Sequence, residues 1–266
     1  MNPPMLLVAD VGNTDTVFGL FQKSDGSPRV WRAESNPRRT ADEWAALLGQ
    51  LLQEEDIRLA DVQDMVVGSV VPDVTRSLGW FAEKHLGQAP LVITGESDLG
   101  FAVEVDHPAQ VGPDRVANVL GALAKWKAPF VVVDLGTATT FDVVSKKGAF
   151  VGGMIVPGPS TLLASLAART ARLPQVPVLR TTTVIGKNTT EAMQAGAFWG
   201  YVDLVEGLID RIAKELGTKP TVIATGGHSK VIGPACRCID HTDPDLTLDG
   251  LRLAWKRVAK NRRARK

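Results

Sequence analysis

The sequence predicts an α/β protein made of two related subdomains, each a mixed sheet flanked by helices. Three observations carry this expectation. An apolar run over residues 5–11 (MLLVADV) ends in Asp-x-Gly and leads into a second apolar run over 15–22, the pattern of a strand hairpin. The same pattern returns at 130–136, where FVVVDLG again enters an apolar run. Each hairpin is followed by helical and strand periodicities in alternation, the order of a mixed α/β domain.

In the first half a third strand is expected near 29–34. A helix follows over about 41–55, opened by Thr40 and Glu43 at capping-box spacing. Trp44, Leu47, Leu48, Leu51 and Leu52 recur at helical intervals and mark its buried side. The run 64–71 (DMVVGSVV) reads as a strand and 73–86 as the next helix. Val111 to Asn118 opens another amphipathic helix, with Asp114 favourably placed at its N-terminal dipole.

In the second half, strands are expected over 130–135, 140–145 and 148–156, and a helix over 158–170. The segment 172–180 (RLPQVPVLR) is a surface loop. A long helix spans 188–216, with Met193, Ala197, Tyr201, Leu204, Leu208 and Ile212 as its apolar stripe. A strand over 220–224, the turn TGGH and a terminal helix over 248–262 complete the chain. No Ser- or Pro-rich linker separates the halves, and the division is set as 1–118 and 119–266.

Hydrophobic residues at 44% and charged residues at 22% suit a globular protein with a real core. No apolar run reaches membrane-spanning length, and the N-terminus lacks a basic region and meets an acid early. No signal peptide is therefore expected, and a cytoplasmic location follows. Cys236 and Cys238 are too close for an ordinary disulfide and too few for a structural zinc site, so they read as plain thiols on a strand. The net charge of +1 hides an asymmetry. Lys256, Arg257, Lys260, Arg262, Arg263, Arg265 and Lys266 crowd the terminus, and without them 23 basic residues face 29 acidic ones, a balance of −6. Cations at a helix C-terminus are favourable in themselves. No aromatic residue follows Trp255 and no recognition motif is present, which argues against a nucleic-acid partner.

The repeated hairpins carry the chemistry. Val8–Thr16 aligns with Val132–Thr140 at a constant offset of 124, placing Asp10 on Asp134, Gly12 on Gly136 and Thr16 on Thr140. Glycine allows a sharp turn and close approach of N–H groups to phosphate oxygens. Asn13, Thr14, Thr137, Thr139 and Thr140 add side-chain donors, and an aspartate at a strand end suits a hydrated cation. A single such turn is weak evidence; two in matching strand contexts point to a nucleoside triphosphate. A covalent aspartyl-phosphate route needs a second acid two residues on, where this chain has Gly12 and Gly136. A strand ending in Thr225-Gly226-Gly227 then resembles the adenosine-side loop of nucleotide-binding kinases, where glycines let the backbone lie against a flat base, with His228 as a helix-start residue.

These three elements, in this order, resemble the actin/Hsp70/sugar-kinase superfamily. Together with Gly112-Pro113-Asp114-Arg115 and Gly186-Lys187-Asn188-Thr189 they closely resemble type III pantothenate kinases, from Asp10 to about Gly227. The resemblance implies a duplicated ribonuclease H-like fold and a homodimer. It implies ATP-dependent phosphorylation of pantothenate to 4'-phosphopantothenate, the first step of coenzyme A biosynthesis. It assigns Asp10, Val11, Gly12, Asn13, Thr14, Asp15, Thr16 and Val17 to the first ATP phosphate loop and Thr137 to a second ATP contact. Gly112, Pro113, Asp114 and Arg115 would bind pantothenate, with Asp114 as catalytic base. Thr189 would touch substrate across the dimer interface, and Asp134 would hold a monovalent cation, potassium or ammonium, alongside Mg2+.

The resemblance thins at Val105, where the family often has a substrate-lining tyrosine, while Pro113 needs only to turn the chain before its helix. Two other readings stand beside it. One is a kinase of the same superfamily with another small-molecule substrate; the other is an accessory transcriptional regulator using the basic terminus.

Overall fold

The structure is a computed structural model that describes residues 5–22 and 26–264, with side chains described as far as residue 258. Ten strands and seven α-helices follow one another among these residues. The first half runs β1 (Met5–Val11), β2 (Asp15–Gln22), β3 (Arg29–Glu34), α1 (Ala41–Gln53), β4 (Val62–Ser69), α2 (Pro72–Phe81), β5 (Leu91–Ile93) and α3 (Pro113–Lys125). The second half runs β6 (Phe130–Leu135), β7 (Ala138–Val144), β8 (Phe150–Pro157), α4 (Pro159–Arg169), α5 (Thr189–Leu216), β9 (Thr221–Thr225), α6 (Ser229–Ile232), β10 (His241–Thr242) and α7 (Leu246–Ala264).

The duplication extends to the sheets. The first has the order β3-β2-β1-β4-β5 and the second β8-β7-β6-β9-β10. In each, the opening strand is antiparallel to the next strand and parallel to the fourth, and the fourth is parallel to the fifth. A helix precedes the fourth strand of each half, and another follows the fifth. The fold is therefore a duplicated ribonuclease H-like α/β unit.

The chain divides into two compact units. The first contains the described residues up to Phe101, Asp106–Gly121 and those from Leu246 onward; the second contains Ala102–Val105 and Ala122–Asp245. The expected cut after residue 118 put the terminal helix with the second half. Instead α7 lies on β1, β2 and β4 of the first sheet.

Alternation explains the first core. Leu7, Ala9 and Val11 of β1, Phe18 and Leu20 of β2, and Met65 and Val67 of β4 face one way. They bury Trp44, Leu48 and Leu52 of α1 and Val74, Leu78 and Phe81 of α2. Phe18 meets Trp44 edge-to-face at 5.5 Å, and Trp44 Nε1 donates to the buried Ser77 hydroxyl at 2.9 Å. The capping box forms: Thr40 Oγ1 accepts from Glu43 N and the Glu43 carboxylate accepts from Thr40 N. Such a cap is worth about 1 kcal/mol.

α7 covers the other face of this sheet and packs closely on α3. A Cβ at Gly250 would collide with the Ala117 carbonyl, and Thr247 Oγ1 donates to Asn118 Oδ1 at 2.7 Å in a buried bond. Arg257 of the basic cluster and Arg252 one turn before it belong to this packing. Arg252 lies 4.9 Å over the Phe21 ring, and Arg257 donates to the Leu99 carbonyl. The side chains of Lys260, Arg262 and Arg263 and all of Arg265 and Lys266 lie outside the described ones.

In the second unit Val131, Val133, Leu135, Phe141 and Val143 face α5. The expected stripe of α5 is rotated. Phe198, Tyr201, Val202, Val205, Ile209 and Ile212 are its buried residues in this core, while Leu204 and Leu208 flank it. Periodicity found the helix, but its many apolar residues allowed two neighbouring faces. The cysteines also differ from expectation. Cys236 follows the 3-10 turn Gly233–Ala235 rather than lying in a strand. Burial pushes the Cys236 thiol up to about 12 and that of Cys238 to about 11, so both stay protonated at neutral pH.

Candidate active site

Asp10 is the last half-buried residue of β1, opposite Val17 on β2 and Gly68 on β4. Beyond it the chain turns through Gly12, whose N–H donates to the Asp15 carbonyl at 3.0 Å. Asn13, Thr14 and Asp15 form the exposed tip. Val11 and Thr16 are different: both are buried and they pair with each other across the hairpin. Thr16 Oγ1 is held by the Ser35 hydroxyl at 2.8 Å.

The second hairpin is one residue shorter. Val11 pairs with Thr16, leaving four residues between them, whereas Leu135 pairs with Thr139, leaving three. The constant offset of 124 therefore ends at the glycines, and Thr16 corresponds to Thr139 rather than Thr140. Their environments agree. Thr139 is also fully buried, and its hydroxyl shares a 2.6 Å hydrogen bond with Tyr201 Oη. In both halves a buried threonine bolts the returning strand to its own unit. Thr137, on the shorter turn, is exposed.

Asp134 is the penultimate residue of β6, as Asp10 is of β1. Gly226, in the turn after β9, has φ of 87°, and a Cβ there would collide with Asp134 Oδ1 and the Leu135 backbone. The Thr-Gly-Gly turn is thus pressed onto the aspartate, a placement open only to glycine. Thr225, opposite Asp134 on β9, is fully buried, and its Oγ1 has no hydrogen-bond partner. A buried, unsatisfied oxygen beside a carboxylate fits a cation that prefers hard oxygen donors. Among the described residues no three His, Cys, Asp or Glu side chains gather into a metal-binding group. His228 stands at the start of α6, as expected.

Asp114 is the second residue of α3. Its Oδ1 accepts from Arg115 N at 2.9 Å and occupies the space that a side chain on residue 112 would need. Burial pushes its carboxyl above the ordinary carboxylate range; the Arg115 N–H and the Arg115 charge oppose this without cancelling it. A carboxylate so placed is a stronger base than one in water. Pro113 is buried and gives the helix its first turn, while Gly112 and Arg115 are half-buried.

A hollow of about 430 Å³ in the first unit runs from Ser69 and Thr75 past Ile93 to Val111 and Pro113. Thr189 opens α5, exposed, behind the Asn188 cap, whose Oδ1 accepts from Glu191 N at 2.9 Å. Val105 is half-buried. Sequence reasoning did not find Ser35 or Tyr201 as partners of the loop threonines, because such pairings depend on strands far apart in the chain.

Comparison with known proteins decides what this set of residues belongs to. The family model for type III pantothenate kinase matches residues 6–211. The chain belongs to the type III pantothenate kinase family. A type III pantothenate kinase from Moorella thermoacetica is 43% identical over 95% of this chain and 99% of its own. One from Gluconobacter oxydans is 45% identical over 94% and 92% respectively. Among solved structures, the ethanolamine utilization protein EutJ from Carboxydothermus hydrogenoformans matches with a TM-score of 0.57 at 14% identity, covering 95% of this chain and 90% of that one. This last likeness is one of fold. No helix among the described residues is long and apolar enough to cross a membrane.

Proposed function

We propose that this member of the type III pantothenate kinase family transfers the γ-phosphoryl group of ATP to the primary hydroxyl of pantothenate, with Asp114 as the base. Family membership carries the reaction, ATP-dependent phosphorylation of pantothenate on the way to coenzyme A. The observation that carries the role of Asp114 is its carboxylate, oriented by Arg115 N–H, set over Gly112 and made more basic by burial.

Asp114 aligns the hydroxyl and takes its proton as the oxygen attacks the γ-phosphorus; the bond to the β,γ-bridging oxygen breaks and ADP leaves. Arg115 offers forked donors to the pantothenate carboxylate or amide, and Gly112 and Pro113 shape the wall beside it. In the first loop Gly12, Asn13, Thr14 and Asp15 meet the ATP phosphates, Asp10 and Val17 fix the loop's base, and Val11 and Thr16 brace it from within. Thr137 makes the corresponding contact from the second loop.

Asp134, with Thr225 Oγ1 opposite, would hold the monovalent cation, potassium or ammonium, and Asp10 suits hydrated Mg2+ arriving with the nucleotide. Bound cations there offset phosphate charge. A homodimer fits the second unit's exposed apolar side chains, among them Ile155, Leu166, Val184 and Ile185. Thr189 would then serve the partner's substrate.

The test is a coupled ADP-release assay offering pantothenate or a panel of sugars and short-chain acids, in potassium, ammonium or sodium buffer. Turnover with pantothenate that needs potassium or ammonium is expected. Turnover confined to another acceptor would reduce the reading to that of the superfamily.

A further inference from the structure

The first turn of α4 touches two loops at once. Gly158 N donates to the Thr137 carbonyl at 2.9 Å, and Thr161 Oγ1 donates to the same carbonyl at 2.6 Å. The approach is close enough that a Cβ on Gly158 would overlap the Gly136 and Thr137 carbonyls. The turn is anchored from below as well, since the buried Tyr201 hydroxyl donates to the Pro157 carbonyl at 2.8 Å. Ser160 lies between these anchors and reaches the other way. Its Oγ shares a 2.8 Å hydrogen bond with His228 Nε2. His228 is itself fixed, its N–H donating to the Leu135 carbonyl at 2.9 Å, and Gly226 two residues earlier is seated on Asp134.

We propose that Ser160 and His228 are positioning residues for ATP, a strut that sets the separation between the Thr137 loop and the Thr225–Gly227 loop. This rests on the assignment of Thr137 to ATP. The reasoning is geometric. Both loops start from neighbouring strands, β6 and β9, whose ladder ends at Asp134 and Thr225. Beyond that point the loops are linked through His228 N–H, Gly226 and the Ser160–His228 bond. The backbone contacts hold the inner ends of the loops, and the side-chain bond holds the outer ends, where α4 begins. Burial pushes the His228 imidazole down, so it remains neutral at pH 7 and pairs with a hydroxyl at no cost of burying charge.

A strut that fixes nucleotide loops should act on the nucleotide and not on the acceptor. Ser160→Ala and His228→Ala should each raise KM for ATP about fivefold, the value of one net hydrogen bond, and leave KM for pantothenate unchanged. The double variant should be no worse than either single one, because both remove the same bond. His228→Gln, whose amide can still reach a hydroxyl, should recover most of the loss. Titration calorimetry with a non-hydrolysable ATP analogue gives the same test without catalysis, so an inactive preparation would count against the proposed reaction and not against the strut. Equal shifts in both KM values, additive effects in the double variant or unchanged analogue affinity in Ser160→Ala would overturn the proposal.

Discussion

The carboxylate of Asp114 fills the place where a side chain on Gly112 would stand. Two residues of the same short motif are thus bound by exclusion: one can point where it does only because the other has no Cβ. Gly112→Ala should therefore leave the fold intact and displace Asp114. Turnover should fall at least tenfold, with KM for ATP little changed, since the displaced group is the proposed base and not one of the proposed phosphate contacts. Steady-state kinetics on a variant of normal thermal stability checks this.

The raised proton affinity of Asp114 has a sign that can be tested in stability. Its folded pKa lies above the unfolded value, so the folded state binds the proton more tightly. Below the ordinary carboxylate range both states are protonated and the site is neutral to stability. As pH rises through the unfolded and then the folded pKa, stability is lost, and the penalty is complete above the latter. Asp114→Asn removes the charge and should raise the Tm at pH 7 while the gain vanishes at low pH. A Tm below wild type at pH 7 would mean that the carboxylate is stabilised where it lies.

Gly250 and Gly49 make a contrasting pair. A Cβ on Gly250 meets the Ala117 carbonyl of α3, whereas one on Gly49, inside α1, meets nothing within 4 Å. Gly250→Ala should cost about 2 kcal/mol or more by forcing the helices apart. Gly49→Ala should gain about 0.5–1 kcal/mol from helix propensity. Denaturant unfolding of the two variants gives both numbers. Since α3 carries Asp114, the first should also lower turnover and the second should not.

Arg257 separates a packing role for the terminal helix from a nucleic-acid role. Its guanidinium donates to the Leu99 carbonyl, so Arg257→Ala should lower unfolding stability by about 1–3 kcal/mol. No salt-sensitive shift of duplex DNA should appear at low ionic strength. A shift lost on deleting 256–266 would revive the regulator reading.

Most of the fold was legible because its signals are local. Long apolar runs, a capping box at Thr40 and helical periodicity placed eight strands and six helices close to where they lie. Two of the four edge strands were not legible: Leu91–Ile93 and His241–Thr242 have three and two residues, too few to show alternation. Nor was the seat of α7 on the first sheet, which depends on contacts such as Gly250 with Ala117 across most of the chain. In the site, residue type and spacing revealed the two Asp-x-Gly turns and the Gly-x-Asp-Arg motif. They misaligned the threonines, because the second turn drops one residue between Gly136 and Thr139 and only strand pairing reveals it. The link from Ser160 to His228 likewise had no local signature.

The most direct measurement is the product formed from ATP and pantothenate by wild type and Asp114→Asn in potassium buffer, followed by mass spectrometry. Wild type should yield 4'-phosphopantothenate and ADP in equal amounts, while Asp114→Asn should bind the ATP analogue normally yet form product at least a hundredfold more slowly. Near-wild-type product formation by Asp114→Asn would contradict its role as base, and no 4'-phosphopantothenate from wild type would contradict the reaction itself.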